Sequence, residues 1–231
     1  MSWISDTLSS SIGRKVSMSL TGLFLVSFLF VHLSGNFLMF KNDGGDAFNV
    51  YSKFMSTNTL IRVLEIGLLL GFLIHIYTAF VLTRTNRAAR PIQYATIGNN
   101  PKVSWFSKNM GLSGSIVLVF LVIHLFNFYF KFHYDWTKTV LIDNEPHKDM
   151  YTLVVLVFKD QWWYSLLYVL SMFLLGFHLN HGFQSAFRTL GVDHVKYTPI
   201  ISGLGVLISI LLPLGFSVFP IYYGFIQKFL N

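Results

Sequence analysis

The stretch "FLFVHLSGNFLMF", residues 28–40, decides the fold. It ends a run, residues 16–40, that contains no Asp, Glu, Lys or Arg. About 20 consecutive apolar residues are enough for a helix to cross the hydrocarbon core of a membrane. The run therefore predicts a transmembrane helix, and His32 within it is a polar side chain in a segment built for lipid.

Composition extends this prediction to the whole chain. Only 12% of the 231 residues are charged, against about 25% in soluble domains. Four more charge-free runs follow the first, at 66–83, 109–130, 161–187 and 197–227. We expect an all-α membrane protein with five transmembrane helices in one bundle, the whole chain 1–231 forming a single domain. The expected helices are approximately 16–40, 62–83, 109–130, 161–187 and 199–226.

Charge and cysteine content narrow the function classes. The chain has no cysteine, which excludes a disulfide, an iron–sulfur cluster or a thiolate metal site on it. We expect no cleavable signal peptide, because the first apolar run is too long and lacks a small-residue cleavage site. The sequence also carries no dinucleotide fingerprint, and nothing in it suggests nucleic acid as a partner.

The connecting segments suggest an orientation. Five spans put the termini on opposite sides, with nine Lys and Arg on the N-terminal side and eight on the other. The N-terminal side has only two acids, Asp6 and Asp193, so its net charge is about +7 against zero. We place the N-terminus and the 84–108 loop in the cytoplasm. Segment 131–160 is expected to be a connection whose short apolar run cannot span. Five tryptophans near predicted helix ends are expected to anchor the interfaces: Trp3, Trp105, Trp136, Trp162 and Trp163.

Histidines occur at two depths in the first four spans. Counted at about 1.5 Å per residue from the basic side, His32 and His124 lie about 24 Å in, whereas His75 and His178 lie about 14–15 Å in. Each depth therefore receives two imidazoles from different helices. Two such layers are the arrangement that two bis-histidine b-type haems need, because an apolar macrocycle suits lipid depth.

Glycines near the histidines fit this interpretation. A haem edge between helices needs more room than the ordinary spacing of about 8–10 Å between helix axes. Gly35, Gly71 and Gly182 each lie one turn from a histidine and are expected to supply that room. No glycine lies one turn from His124.

Three other interpretations of the histidines stay open from the residues alone. A buried histidine can simply hydrogen bond to a neighbouring helix, and small residues are common at membrane helix contacts. A non-haem di-iron site would need clustered histidines, which only His178 and His181 resemble. A transporter would need intramembrane carboxylates, and only Glu65 comes near.

Four motifs resemble one family. "SLTGLFLVSFLFVHL", "GDAFNVYSKFM", "RVLEIGLLLGFLIH" and "FHLNHGFQSAF" are similar to segments of the dihaem cytochrome b membrane anchor of succinate:quinone oxidoreductases, which include fumarate reductase anchors. The resemblance covers most of the chain and weakens in the last helix. It implies five helices and two haem b groups, with ligands His32, His75, His124 and His178. The implied pairs are His32/His124 for the haem farther from the cytoplasm and His75/His178 for the nearer one.

The resemblance also implies partners and a reaction. A flavoprotein subunit and an iron–sulfur subunit would oxidise succinate in the cytoplasm of a bacterium and dock on the basic face. This chain, in the cytoplasmic membrane, would pass electrons through the inner and then the outer haem to a quinone, menaquinone by resemblance. The chain would contribute the quinone site but no dicarboxylate chemistry. Membrane lipid is a further partner, and an oligomer of the complex is left open.

Several assignments within this family remain alternatives. His181 occupies a position three residues from His178, and we prefer His178 as the ligand because Gly182 then lies one turn away. Glu65 and Arg62 are candidates for the quinone site, or only an i,i+3 ion pair. Candidates for propionate contacts are Arg14, Ser17, Ser19 and Arg188. The complex could work as a fumarate reductase, and a cytochrome b subunit of a hydrogenase or formate dehydrogenase would share the same ligation.

Overall fold

The computed structural model describes residue 6 and residues 10–89, 109–134 and 136–227. Within these residues the chain forms five helices long and apolar enough to cross a membrane, so it is a multi-pass membrane protein and the predicted number of spans is confirmed. The five helices are α1 (Ser11–Asn36), α3 (Thr59–Ala88), α4 (Met110–His124), α6 (Trp162–Thr189) and α7 (Thr198–Ile221). Three of them continue beyond these bounds: α1 as a 3₁₀ turn (Phe37–Phe40), α4 as a π-helical segment (Leu125–Phe130) with a last α turn (Lys131–His133), and α7 as a π-helical segment (Tyr222–Ile226).

Polar caps explain where two of the spans begin. The Ser10 hydroxyl accepts a hydrogen bond from the Gly13 N–H and starts α1. The Asn58 side chain accepts from the N–H groups of Leu60 and Ile61. Because this cap satisfies two amides that have no partner inside the helix, α3 begins at Thr59, three residues before the predicted start.

Large apolar side chains cover the outside of the bundle. On α3 alone, Leu69, Leu73, Tyr77 and Phe80 are each more than half exposed. An apolar surface of this extent would be unfavourable in water. It is what a helix surface facing lipid requires.

Helix α6 is the centre of the bundle and packs against α7, α1 and α4. Its contact with α7 is close at Gly176, which has no side chain and lies beside the Ser209 carbonyl, to which Pro213 has no N–H to donate. Gly176 approaches this carbonyl, and a Cβ there would lie only 2.8 Å from the oxygen. The apolar core around this contact consists of Val26, Met172, Leu175, Leu179 and Leu212.

A small layer of helices and strands covers one end of the bundle, which we call the hairpin end. It contains α2 (Asp46–Thr57), β1 (Thr139–Ile142), β2 (Glu145–Lys148) and α5 (Met150–Lys159). The strands pair antiparallel, Ile142 opposite Glu145. Asp143 and Asn144 form the turn with φ of 52° and 64°, which Asp and Asn tolerate better than most residues. This hairpin corrects the all-α prediction, and α5 is the short apolar run that was predicted not to span.

The opposite end, the basic end, holds the start of α1 and the end of α6, where Lys15 and Arg188 line a common cavity. Helix α3 ends at this basic end, and Gly111 in the first turn of α4 contacts its Thr83. The start of α4 therefore lies at the basic end too. Helix α3 continues to Ala88, beyond its predicted end at 83. The rest of the predicted 84–108 loop, residues 90–108, lies outside the described residues, as do Trp3 and Trp105. Trp136, Trp162 and Trp163 are exposed, as interface anchors are.

One buried side chain joins the hairpin-end layer together. Asn49 of α2 donates to the Asp149 carboxylate at 3.2 Å and accepts from the Tyr151 N–H at 2.9 Å. Its residue is only 3% exposed. Asp149 also caps α5 by accepting from the Thr152 N–H. Asn49 therefore fixes the start of α5 against α2.

Replacing Asn49 with Leu should destabilise this layer. Leucine has a similar size but leaves the Tyr151 N–H without its partner, and an unsatisfied buried polar group costs about 1–3 kcal/mol. We expect a lower unfolding temperature in detergent, followed by circular dichroism. Ser56→Ala is the control, because the Ser56 hydroxyl bonds only to its own helix at Lys53. Equal unfolding temperatures for the two variants would contradict this role.

Candidate functional site

The four predicted histidine ligands lie in two pairs inside the bundle. His75 of α3 and His178 of α6 have ring centres 6.4 Å apart, with planes at 72°. His32 of α1 and His124 of α4 have ring centres 5.8 Å apart, with planes at 84°. We call the first the basic-end pair and the second the hairpin-end pair. Each pair joins two helices that are not consecutive spans.

The separation within each pair is compatible with one metal ion between the two rings. An imidazole nitrogen binds a metal at about 2 Å, which puts two rings on opposite sides of one ion at about 6 Å between centres. The described residues contain no group of three or more His, Cys, Asp or Glu side chains that could hold a metal. Each pair therefore offers two protein ligands, and a metal bound there would need its remaining ligands from a cofactor.

A glycine on the facing helix receives each ring of the basic-end pair. A Cβ at Gly22 of α1 would lie 3.4 Å from Cε1 of His75, and a Cβ at Gly114 of α4 would lie 3.4 Å from Cε1 of His178. These distances are ordinary van der Waals contact, so the rings lie directly against the backbone of these helices. A residue larger than alanine at either position would displace the imidazole.

The glycines predicted to make room for a haem have other neighbours. A Cβ at Gly35 would lie 2.5 Å from the Tyr51 ring, and one at Gly71 would lie 3.1 Å from the Phe24 ring. Only Gly182 faces space that no described side chain fills within 4 Å. The prediction was therefore wrong for Gly35 and Gly71, since sequence spacing gives the face of a helix but not what packs on it.

The polar partners of His75 set its tautomer. The Thr21 hydroxyl donates its one proton to the Ser17 carbonyl at 2.7 Å. The same oxygen lies 3.3 Å from Nδ1 of His75, and with its proton committed it can only accept there. The contact favours the tautomer of His75 with its proton on Nδ1, which leaves a lone pair on Nε2, the form in which a neutral imidazole binds a metal.

One ring nitrogen in each pair lacks a hydrogen-bond partner among the described residues. These atoms are Nδ1 of His124 in the hairpin-end pair and Nδ1 of His178 in the basic-end pair, and both are buried. A buried polar atom without a partner is costly. A group that hydrogen bonded to these Nδ1 atoms would remove this cost, and the Nε2 atoms of the two rings would stay available to a metal. Each pair therefore offers two imidazoles as its donor set.

Aromatic rings surround the hairpin-end pair. Phe28 stacks on His32 with ring centres 5.3 Å apart, and Phe216 lies 5.6 Å from the same ring. Phe128 and Tyr168 lie 5.2 and 6.2 Å from His124. An apolar shell of this kind keeps water away from the pair and suits a flat apolar cofactor.

The helix changes to π-helical geometry directly after His124. Such segments are rare and often occur at functional sites. In this segment the Asn127 amide donates to the Ile123 carbonyl and to the Tyr164 hydroxyl. The Tyr164 hydroxyl in turn donates to that of Tyr168 at 3.3 Å. The segment thus connects the hairpin-end pair to a buried chain of polar groups.

The alternative ligand His181 and the predicted propionate contacts lie at the basic end. His181 is not part of either pair and lines the cavity that contains Lys15 and Arg188. Ser17 lines a neighbouring groove. Ser19 is buried and donates to the Lys15 carbonyl, and Arg14 lies in the first turn of α1.

Arg62 and Glu65 belong to a larger cluster at the hairpin end. The Tyr129 hydroxyl donates to one Glu65 oxygen at 2.5 Å, and Arg62 donates to the other at 2.5 Å. Arg62 also lies 3.2 Å from Nε2 of His133, whose ring stacks on Tyr129 at 4.1 Å. From the sequence alone, neither Tyr129 nor His133 was linked to the Arg62–Glu65 pair. Their i,i+4 spacing was a signal that they share a face, but nothing in the sequence showed that this face meets α3.

Comparisons of the chain with protein-family models, with curated proteins and with solved structures gave no match.

Replacing Thr21 with Val should disturb the tautomer of His75. Valine keeps the shape but removes the oxygen that accepts from Nδ1, so we expect a mixture of tautomers. Nitrogen-15 NMR of histidine-labelled chain measures the proton position directly. Thr85→Val on α3 is the control, since the Thr85 hydroxyl bonds only within its own helix. An unchanged His75 spectrum in Thr21→Val would show that Thr21 does not set the tautomer.

Proposed function

We propose that this chain is the dihaem cytochrome b membrane subunit of a succinate:quinone oxidoreductase, in which each histidine pair ligates one haem b. The supporting observation is that four helices bring together two pairs of histidines, His32 with His124 and His75 with His178. The ring centres lie 5.8 and 6.4 Å apart, a separation compatible with one metal ion between the two rings. A haem at each pair would supply one-electron chemistry between a two-electron dehydrogenase and a quinone.

The pairs favour this function over the alternatives. A di-iron site needs more than two protein ligands per site, and each pair has two imidazoles and no carboxylate group that could join them. Helix-to-helix hydrogen bonding would satisfy the ring nitrogens, yet His124 and His178 each keep one without a partner. Two imidazoles per site are sufficient when a porphyrin fills the other positions of the iron.

The chain's own residues hold and insulate the two sites. Thr21 favours the tautomer of His75 in which Nε2 is free, and Gly22 and Gly114 let the basic-end rings lie against the helix backbones. Phe28, Phe216 and the other aromatic rings exclude water from the hairpin-end pair. Burial and hydrogen bonds to the axial ligands are the means by which a protein adjusts haem potentials.

The order of the sites gives a direction along the bundle. In our proposal the basic end faces the cytoplasm of a bacterium, where a flavoprotein and an iron–sulfur subunit dock on its positive charge. The hairpin end then faces outward and receives the quinone, a menaquinone by the family resemblance. The same residues serve either direction, succinate oxidation or fumarate reduction.

The cluster of Arg62, Glu65, Tyr129 and His133 is the proposed place of proton exchange with the quinone. Quinone reduction takes up protons, and Glu65 is a carboxylate within hydrogen-bond reach of a phenol and a guanidinium. Tyr129 is five residues beyond His124, or about 8 Å along the helix. His133 stacks on Tyr129 and contacts Arg62, so the cluster contains three groups that can exchange protons.

The first test of this function is the haem content of the full chain. We expect two haem b per chain, low-spin when oxidised and when reduced because two imidazoles fill both axial positions. A pyridine haemochrome assay on chain purified in mild detergent measures the ratio, and mass spectrometry identifies copurifying flavoprotein and iron–sulfur subunits. A ratio of one or none would contradict the dihaem proposal.

Glu65→Gln tests the quinone site. Glutamine keeps the size but cannot take up a proton, and general acid–base catalysis contributes about 10²–10⁴-fold. We expect quinone reduction by the complex to fall at least tenfold, while succinate oxidation with a soluble artificial acceptor continues. Glu145→Gln is the matched control: Glu145 lies at the same end, and Lys53, 2.8 Å away, lowers the pKa of its carboxyl. Normal quinone reduction in Glu65→Gln would place proton exchange elsewhere.

A further inference from the structure

A cavity of about 360 Å³ opens between α1 and α6 at the basic end. Two cations, an imidazole and two hydroxyl groups surround it. The lining residues are Ile12, Lys15, His181, Ser185, Arg188 and Thr189. None of them is acidic, so every polar group in the cavity is able to donate a hydrogen bond to an anion.

No acidic residue lines this cavity beside its two cations. The two ion pairs among the described residues are Lys53–Glu145 and Arg62–Glu65, and both lie at the hairpin end. The only acids on the basic side are Asp6 and Asp193. The Asp193 carboxylate accepts a hydrogen bond from the Thr198 hydroxyl at 3.0 Å, and neither acid lines the cavity.

The cavity lies at the level of the lipid headgroups. His181 is three residues beyond His178 and Thr189 is eleven, so the cavity extends from about 5 to 16 Å beyond the basic-end pair, at 1.5 Å per residue. This is the last part of the bundle before α6 ends at Thr189. A ligand bound here would therefore sit at the membrane surface.

A mostly apolar groove of about 550 Å³ continues from the cavity along α1. The two share Ile12. Besides Asp6 and Ser10, the groove is lined by Gly13, Val16, Ser17 and Leu20, which recur at helical spacing on one face of α1. The groove thus leads from the cationic cavity toward the interior of the membrane, as an acyl chain would run.

We propose that this cavity binds the phosphate of an anionic phospholipid, with one acyl chain lying in the groove on α1. Lys15 and Arg188 supply charge-assisted hydrogen bonds to the phosphate oxygens, and Ser185 and Thr189 add neutral donors. Basic pockets between transmembrane helices near the cytoplasmic surface bind such headgroups. The site needs neither of the proposed haems.

A haem propionate would offer the same anionic oxygens, and the test must distinguish it from a lipid. The full chain is purified in detergent, depleted of lipid, and given phosphatidylglycerol or phosphatidylcholine with identical acyl chains. Native mass spectrometry counts bound lipid per chain. We expect one phosphatidylglycerol to be retained per chain and phosphatidylcholine to be lost.

The double variant Lys15→Gln/Arg188→Gln should weaken phosphatidylglycerol binding by about tenfold or more, since each basic residue contributes to headgroup attraction. Arg84→Gln/Lys196→Gln is the matched control, because it removes the same charge from the basic side without touching the cavity. Ser185→Trp fills the cavity without changing charge and should cause the same loss, which keeps the test valid if the double variant folds poorly.

Three results would overturn the proposal. Equal weakening in the control pair would show that general surface charge, and not this cavity, attracts the lipid. Equal retention of phosphatidylcholine, which has the same phosphate but no net charge, would show that the cavity does not select an anionic lipid. Unchanged lipid binding in the double variant with an altered spectrum of one haem would assign the cavity to a propionate. Native mass spectrometry counts bound lipid directly. The lipid proposal can therefore be confirmed or contradicted whatever the haem content of the chain.

Discussion

An imidazole inside a lipid-spanning helix must find its partner within the bundle, because the hydrocarbon core offers no water. His32, His75, His124 and His178 meet this constraint by facing one another in two pairs. The pairing links α1 with α4 and α3 with α6, so it ties the first four spans together across the bundle. The buried Nδ1 atoms of His124 and His178 have no hydrogen-bond partner among the described residues, so a group bound there would add stability.

The two ends of the bundle are specialised around these pairs. The basic end brings together Lys15, Arg188 and an anion-sized cavity, whereas the hairpin end brings together Glu65 and Tyr129 beneath a layer of short helices and strands. Uncompensated positive charge suits phosphate and acidic partners, and a carboxylate held by a phenol and a guanidinium suits proton exchange. An electron path between the pairs would join these two surfaces.

The sequence predicted the features that depend on composition and helical spacing. Five apolar runs predicted five spans, and depth along the helices placed His32 with His124 and His75 with His178. Spacing could not predict contacts between helices: Gly35 packs on Tyr51, while Gly22 and Gly114, which receive the imidazoles, lie on other helices than those rings. The β-hairpin was not predicted because its strands have only four residues each. The contact of His133 with Arg62 depends on how α3 packs, which spacing along the chain does not give.

The most direct test of the proposed dihaem function asks whether the four histidines ligate two haems in the proposed pairs. Redox titration of the four single His→Ala variants, with electron paramagnetic resonance of the oxidised chain, separates the two haems by potential and signal. We expect His32→Ala and His124→Ala both to lose the haem of the hairpin-end pair, and His75→Ala and His178→Ala both to lose the haem of the basic-end pair. His181→Ala should keep both. Loss of the same haem from His32→Ala and His75→Ala, or loss of a haem from His181→Ala alone, would contradict the pairing.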